Sequence, residues 1–285
     1  MKLYAISDLH LSERINYEAL STIPAYPDDW LILGGDIGET EADLEVAITT
    51  LSKRFARLIW VPGNHDLWTL PSDATRLRGK HKYDRLVEIC RGYDVLTPED
   101  PYAVWQGDGQ PTVIAPVFLL YDYSFRPEDV PLEQAIAWAA ETDVMAADEV
   151  YLHSDPYPSC IAWCTARYRY TEQRLEDLSA NLPIVLINHF PLRKDLAILP
   201  AIPRFSLWCG TDRTEHWHMR FPISVVVYGH LHIRGTYYRN STRFEETSLG
   251  YPAQWNQEND VNFYLREILP GPPKQPLESS HELGK

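Results

Sequence analysis

Five short apolar runs in this sequence each end in side chains able to bind a metal ion. The run 3–6 leads to Asp8 and His10, and the run 30–33 leads through Gly34 and Gly35 to Asp36. The run 58–61 leads through Pro62 and Gly63 to Asn64, His65 and Asp66. The run 184–187 leads through Asn188 to His189, and the run 225–228 leads through Gly229 to His230 and His232. Carboxylate, amide-oxygen and imidazole donors without thiolate suit Mn, Fe or Zn, whereas an all-oxygen set would point to Mg or Ca. Asp8, His10, Asp36, Asn64, His189, His230 and His232 are more donors than one ion with open positions needs. They suit two ions sharing a carboxylate, a pair that can grip both the attacking and the leaving oxygen of a phosphate ester.

The elements that must carry these residues follow from the same runs. Ligands of open α/β sheets gather at the carboxyl ends of strands, so five strand ends can converge on one pocket. Asp8/His10 and His230/His232 are i,i+2 pairs, which point the same way if the backbone stays extended. Glycines ahead of Asp36, Asn64 and His230 suit tight turns and close backbone approach. Between the second and third runs, Leu44, Ala47, Ile48, Leu51 and Phe55 follow helical spacing over 41–55, a β-α-β rhythm. Further on, the pattern predicts a helix near 83–90 and a hairpin of 102–105 with 112–115 across Gly107-Asp108-Gly109. Helices over 132–147 and 159–178 follow, parted by Asp155-Pro156-Tyr157-Pro158. Strand signals resume at 184–187 and 223–227, then continue as an antiparallel-looking series at 236–239, 243–247 and 262–268. The expected organisation is one α/β domain over 1–269 with a helical, aromatic-rich insertion at about 121–181. Residues 270–285, rich in Pro, Gly and polar types, read as a disordered tail.

Composition narrows the partners. Of the 285 residues, 45% are hydrophobic, enough for a sizeable core. No stretch of about 18 apolar residues is present, so no membrane span is expected, and the start lacks the apolar region of a secretory signal. The expected address is the cytoplasm. Cys90, Cys160, Cys164 and Cys209 form no CxxC pair and read as reduced thiols. A net charge of −14 argues against a nucleic-acid surface. Between Arg193 and Arg243, however, eight Lys/Arg stand against three acids. That local excess reads either as a solvated face or as a funnel for an anionic substrate.

The ordered set Asp8-Leu9-His10, Gly35-Asp36, Gly63-Asn64-His65-Asp66, His189 and Gly229-His230-Leu231-His232 resembles the signature of the calcineurin-like metallophosphoesterases. The resemblance implies a four-layer α-β-β-α fold, a β-sandwich flanked by helices. It implies that Asp8, His10, Asp36 and His232 hold one transition-metal ion, and that Asn64, His189, His230 and the bridging Asp36 hold a second. Mn or Fe are the expected metals, with Zn a further option, and water acidified by the two ions would attack phosphorus. His65 would serve the leaving oxygen as a catalytic group, with Asp66 orienting its imidazole. His81 and His153 read as structural, and so do His216 and His218, although their basic surroundings leave phosphate contact open.

Segments 28–32, 118–125, 205–211 and 248–252 look like a bacterial subgroup of that family that hydrolyses phosphopantetheinyl groups. That likeness implies a phosphodiesterase removing phosphopantetheine from holo-acyl carrier protein, with the basic stretch facing the acidic partner and the aromatic middle portion flanking the pantetheine arm. The motifs equally admit a cyclic-nucleotide phosphodiesterase or a nucleotide or coenzyme A pyrophosphatase. An inactive scaffold of the same fold would tolerate lost ligands, yet every expected position is filled.

Overall fold

The computed structural model describes residues 1–178 and 182–272. The chain opens with β1 (Leu3–Ile6), α1 (Arg14–Leu20), β2 (Tyr26–Leu33), α2 (Glu41–Leu51), β3 (Phe55–Trp60), α3 (Asn64–Leu67) and α4 (Gly79–Gly92). The hairpin β4 (Ala103–Trp105) and β5 (Thr112–Pro116) follows, then α5 (Ala135–Ala140), α6 (Asp148–Tyr151) and α7 (Cys160–Glu176). The last part holds β6 (Ile184–Ile187), α8 (Trp217–Arg220), β7 (Ile223–Tyr228), β8 (Gly235–Arg239), β9 (Thr242–Glu246) and β10 (Arg266–Leu269).

Two sheets form, in the orders β10-β1-β2-β3 and β4-β5-β6-β7-β9-β8. The central strands β1, β2 and β3 run parallel, as do β5, β6, β7 and β9; only the edges β10, β4 and β8 are antiparallel. Strand periodicity divides each strand between two layers. Leu3, Ala5, Ile32 and Ile59 meet Ile114, Val185, Ile187, Val225 and Val227 in the core shared by the sheets. Their alternates Ile6, Leu31, Leu33, Leu58 and Trp60 pack with Leu44, Ala47, Ile48, Leu51 and Leu86 of α2 and α4. Leu186, Val226, Tyr228 and Phe244 do the same on the far side with Leu175 and Trp217. Strands buried on both faces read as unbroken apolar runs, which is why the sequence displays them so clearly. The result is the expected α-β-β-α layering.

Helix starts are locally encoded. Thr40 and Asp43 exchange side-chain and backbone hydrogen bonds in a capping box that fixes where α2 begins, a device that contributes about 1 kcal/mol. Ser159 caps α7 by accepting from the Ala162 N–H.

Three expected elements differ. The helix of 132–147 is cut short: α5 stops at Ala140, because Thr142 bonds back to the Ala139 carbonyl and Asp143 adopts φ +57°, and α6 starts only at Asp148. Phe55 opens β3 and does not extend α2. Residues 261–264 form a short 3-10 turn, seeded by the Asp260 carboxylate on the Asn262 N–H, and the strand starts only at Arg266. Most of the tail expected to be disordered lies outside the described residues. Among the described residues no helix is long and apolar enough to cross a membrane.

Candidate metal centre

All seven expected donors gather at one end of the sandwich, beyond the carboxyl ends of β1, β2, β3, β6 and β7. Ligand-capable atoms of Asp8, His10 and His232 lie within 4.8 Å of one another, and so do those of Asp36, His189 and His230. Asp36 also belongs to a third such group with His10 and His65, so it stands between the two clusters. Asn64 joins through its Oδ1, 3.1 Å from His230 Nδ1.

The loops reach this geometry by an unexpected route. Asp8, His10, Asp36, His230 and His232 all have positive φ, between 43° and 73°. The i,i+2 pairs therefore do not converge through extended backbone; they converge through left-handed turns, which cost non-glycine residues energy and persist where surrounding structure holds them. Two glycines make room for the carboxylates. A Cβ on Gly63 would stand 2.0 Å from Asp36 Oδ1, and one on Gly229 would stand 2.2 Å from Asp8 Oδ2.

The donor arrangement fits cations. His232 donates its Nδ1–H to Gln254 Oε1 at 2.7 Å, so in the neutral imidazole its Nε2 is an acceptor. That Nε2 nevertheless faces Asp8 Oδ1 at 3.0 Å and His10 Nε2 at 3.1 Å. His189 likewise donates Nδ1–H to the Gly34 carbonyl at 2.9 Å, while its Nε2 lies 3.3 Å from Asp36 Oδ2 without hydrogen-bond geometry. His230 Nε2 is buried without a partner among the described residues. Lone pairs aimed at one another in a buried pocket repel unless a positive charge lies among them.

Proton affinities reflect the same demand. Burial lowers His10 to about 4, and burial together with His189 lowers His230 to about 3, so both imidazoles are neutral donors. Burial works against His189 too, but the Asp36 and Asp8 carboxylates outweigh it and hold that group at about 10. Despite burial, Asp36 stays well below the ordinary carboxylate range because His189 and His65 flank it.

His65 sits at the rim. Its Nδ1 faces Glu39 Oε1 at 3.3 Å, and Trp68 lies against the ring with centroids 3.6 Å apart. Burial depresses the His65 pKa, yet Asp36 and Glu39 more than compensate and raise it. The expected role of Asp66 as the orienting partner needs correction. The Asp66 carboxylate accepts from the backbone N–H groups of Asp36 (2.8 Å), Ile37 (3.1 Å) and Gly63 (2.8 Å). At the third position of α3 it folds back over the helix start, tying two loops together, and Glu39 takes the imidazole. Burial and the Asp36 charge push Asp66 up to about 7. Lys82, itself buried, donates to the carbonyls of Glu39 and Trp68 and so clamps the loops that hold His65.

The sequence profile of the calcineurin-like phosphoesterases matches residues 1–234. The chain belongs to the calcineurin-like phosphoesterase family. It is thus a metal-dependent hydrolase of phosphate esters, built around a dinuclear centre. An [acyl-carrier-protein] phosphodiesterase, PptH, from Mycobacterium tuberculosis is 45% identical to this phosphoesterase over 276 residues, covering 96% of this chain and 85% of that protein. A crystal structure of phosphopantetheinyl hydrolase (PptH) from Mycobacterium tuberculosis superposes with a TM-score of 0.91 at 44% identity, covering 96% of this chain and 98% of that one.

Several residues of this phosphoesterase escaped sequence reasoning. Glu39, three positions beyond Asp36, carried a signal in that proximity; Ser248 and Tyr251 lay in the segment 248–252 that the resemblance marked without giving it a role, and Gln254 carried none. Ser248 Oγ lies 2.8 Å from Asp8 Oδ2, and Tyr251 stacks on His10 with centroids 4.3 Å apart. The basic stretch does not form a free funnel. Arg193, Arg204, Arg213, Arg220, Arg239 and Arg243 pair with acids, while Lys194 and Arg234 donate to backbone carbonyls. Phe118, Tyr121 and Trp163 of the aromatic middle portion are buried core and do not line the site. His218 packs against Phe244 away from the donors, His216 is exposed, and His153 meets Arg78. The four cysteines are free thiols.

Proposed function

We propose that this enzyme is a phosphodiesterase that releases phosphopantetheine from the serine of a holo-acyl carrier protein. The likeness to PptH carries the reading, because it extends over 96% of the chain and well past the metal motifs. In this reading Asp8, His10, Asp36 and His232 hold one ion, and Asn64, His189, His230 and the shared Asp36 hold the other. Nitrogen and oxygen donors favour Mn or Fe, with Zn acceptable. Bound ions supply Lewis-acid chemistry, acidifying water and neutralising charge on the phosphate. Protein groups do the rest. His65, whose pKa Asp36 and Glu39 raise against burial, donates its Nε2–H to the serine oxygen as that bond to phosphorus breaks. Trp68 and Tyr251 shield the imidazoles of His65 and His10 and narrow the approach to the donors. We read residues 1–269 as one domain with 121–181 inserted, and the free thiols agree with a cytoplasmic address.

Intact-protein mass spectrometry on holo-carrier incubated with Mn²⁺-loaded enzyme tests the substrate. The expected result is apo-carrier plus phosphopantetheine. Unchanged holo-carrier beside brisk hydrolysis of a cyclic nucleotide, a dinucleotide or coenzyme A would move the activity to that substrate and leave the chemistry standing.

A further inference from the structure

Asp148 begins α6, far from every metal motif, yet it is 3% exposed and reaches the metal centre. Its Oδ1 accepts from Asn64 Nδ2 at 2.9 Å and from Trp68 Nε1 at 2.7 Å, while Oδ2 has no partner among the described residues. One oxygen thus holds a carboxamide in the donor cluster and the indole that lies on His65. The backbone docks as well: Thr69 N–H donates to the Tyr151 carbonyl at 2.9 Å, and Trp68 pairs with Leu152 in an isolated antiparallel bridge.

A carboxamide has two ends of similar shape and opposite chemistry. Only its oxygen can serve a cation; turned around, its NH₂ would face the positive charge. An oxygen that takes two N–H donors is an acceptor whether or not the carboxyl carries a proton on its other atom. Asp148 Oδ1 therefore accommodates only the NH₂ end of Asn64, which leaves Asn64 Oδ1 on the opposite side, toward His230 Nδ1. We propose that Asp148 is a positioning residue that fixes the Asn64 carboxamide oxygen-first toward the second metal and seats Trp68 against His65. The α6 segment is thereby coupled to the catalytic end of the sandwich. This inference rests on Asn64 being a ligand, as in the reading above.

The test is calorimetric titration of metal-stripped protein with Mn²⁺, on wild type, Asp148→Ala, Asp148→Asn, Asn64→Ala and the Asn64→Ala/Asp148→Ala pair. Loss of a partner that orients a ligand weakens metal affinity about 10–100-fold. Asp148→Ala should therefore weaken one of two equivalents by that factor and spare the other. Asp148→Asn keeps an acceptor oxygen and should recover most of the loss. The double variant should bind no worse than Asn64→Ala, because Asp148 acts through that amide. Should Asp148→Ala fail to fold, Asp148→Leu preserves the volume and replaces it. Wild-type binding of both equivalents by the Asp148 variants, with one lost in Asn64→Ala, would overturn the inference alone. So would additive losses in the double variant. If Asn64→Ala itself kept both equivalents, the ligand reading would fall and the inference with it.

Discussion

Asp8 and His232 lean on Ser248 and Gln254, side chains of a loop directly after β9, whereas Asn64 leans on Asp148 from a helix between β5 and β6. Around the first proposed metal position three donors have specific neighbours: a hydroxyl for Asp8, an amide oxygen for His232, a stacked phenol ring for His10. Around the second, His189 donates to the Gly34 carbonyl, but His230 is packed by the rings of Phe190 and Phe205, at 4.6 and 5.8 Å, and its Nε2 meets no partner among the described residues. Hydrogen bonds dictate where a proton sits; ring packing dictates only where an imidazole sits. The first position should therefore answer to polar substitutions in its supporting loop, and the second to Asp148 and to the volume of its aromatic walls.

Asp36 is the point at which this contrast can break. It lies in a donor group with His10 and in another with His189 and His230, so Asp36→Ala should remove both ions together and lower kcat/KM by about 10⁴-fold or more. Metal content and turnover measured on one preparation check this. A variant that kept either ion at full affinity would mean that the two positions are independent sites. His65→Ala should act next most strongly while touching neither. Both ions stay bound, and kcat falls about 10²–10⁴-fold, most steeply for esters whose leaving oxygen is a poor one. Equal losses on an alkyl and a nitrophenyl diester would remove His65 from proton transfer.

Much of this site can be read from the sequence, for a definite reason. Strands buried on both faces are continuous apolar runs, and five of them here deliver donors at the same end. What supports those donors cannot be read that way. Gln254 lies 22 residues from His232 and Asp148 lies 84 from Asn64, and each matters only because the fold brings it within hydrogen-bonding distance. Asp and His enter left-handed backbone more readily than most residues, but residue type alone does not place it at Asp8, His10 or Asp36. The excess positive charge of 193–243 was visible, but its pairing with Asp122, Glu141 and Glu172 joins residues from separate segments. Periodicity over 132–147 carried a helix straight through Asp143, where the chain turns so that α6 can deliver Asp148.

Gln254 offers a finer test of the first position. Gln254→Leu removes the acceptor that keeps the His232 proton on Nδ1, frees the other tautomer, and should weaken a single Mn²⁺ equivalent about 10-fold. Paired with the Asp148 variants, it should show loss at opposite positions in the same titration. Weakening of the same equivalent by both would erase the distinction between the two supports.

Glu39→Gln is expected to change least in rate and most in pH dependence. Burial lowers the His65 pKa, and Asp36 and Glu39 raise it above its ordinary value. An acid works while protonated, so activity depending on His65 is present below its pKa and is lost as pH rises through it. Removing the Glu39 charge removes part of what raises that pKa, so the alkaline limb of the kcat profile should move to lower pH. Below both limbs His65 is protonated in either enzyme, and the variant should approach wild-type turnover there, within about 10-fold for the loosened imidazole. Metal affinity should be unchanged, since Glu39 faces His65 and belongs to none of the donor groups. An alkaline limb that stayed in place, with turnover reduced equally at every pH, would mean that Glu39 only props the loop.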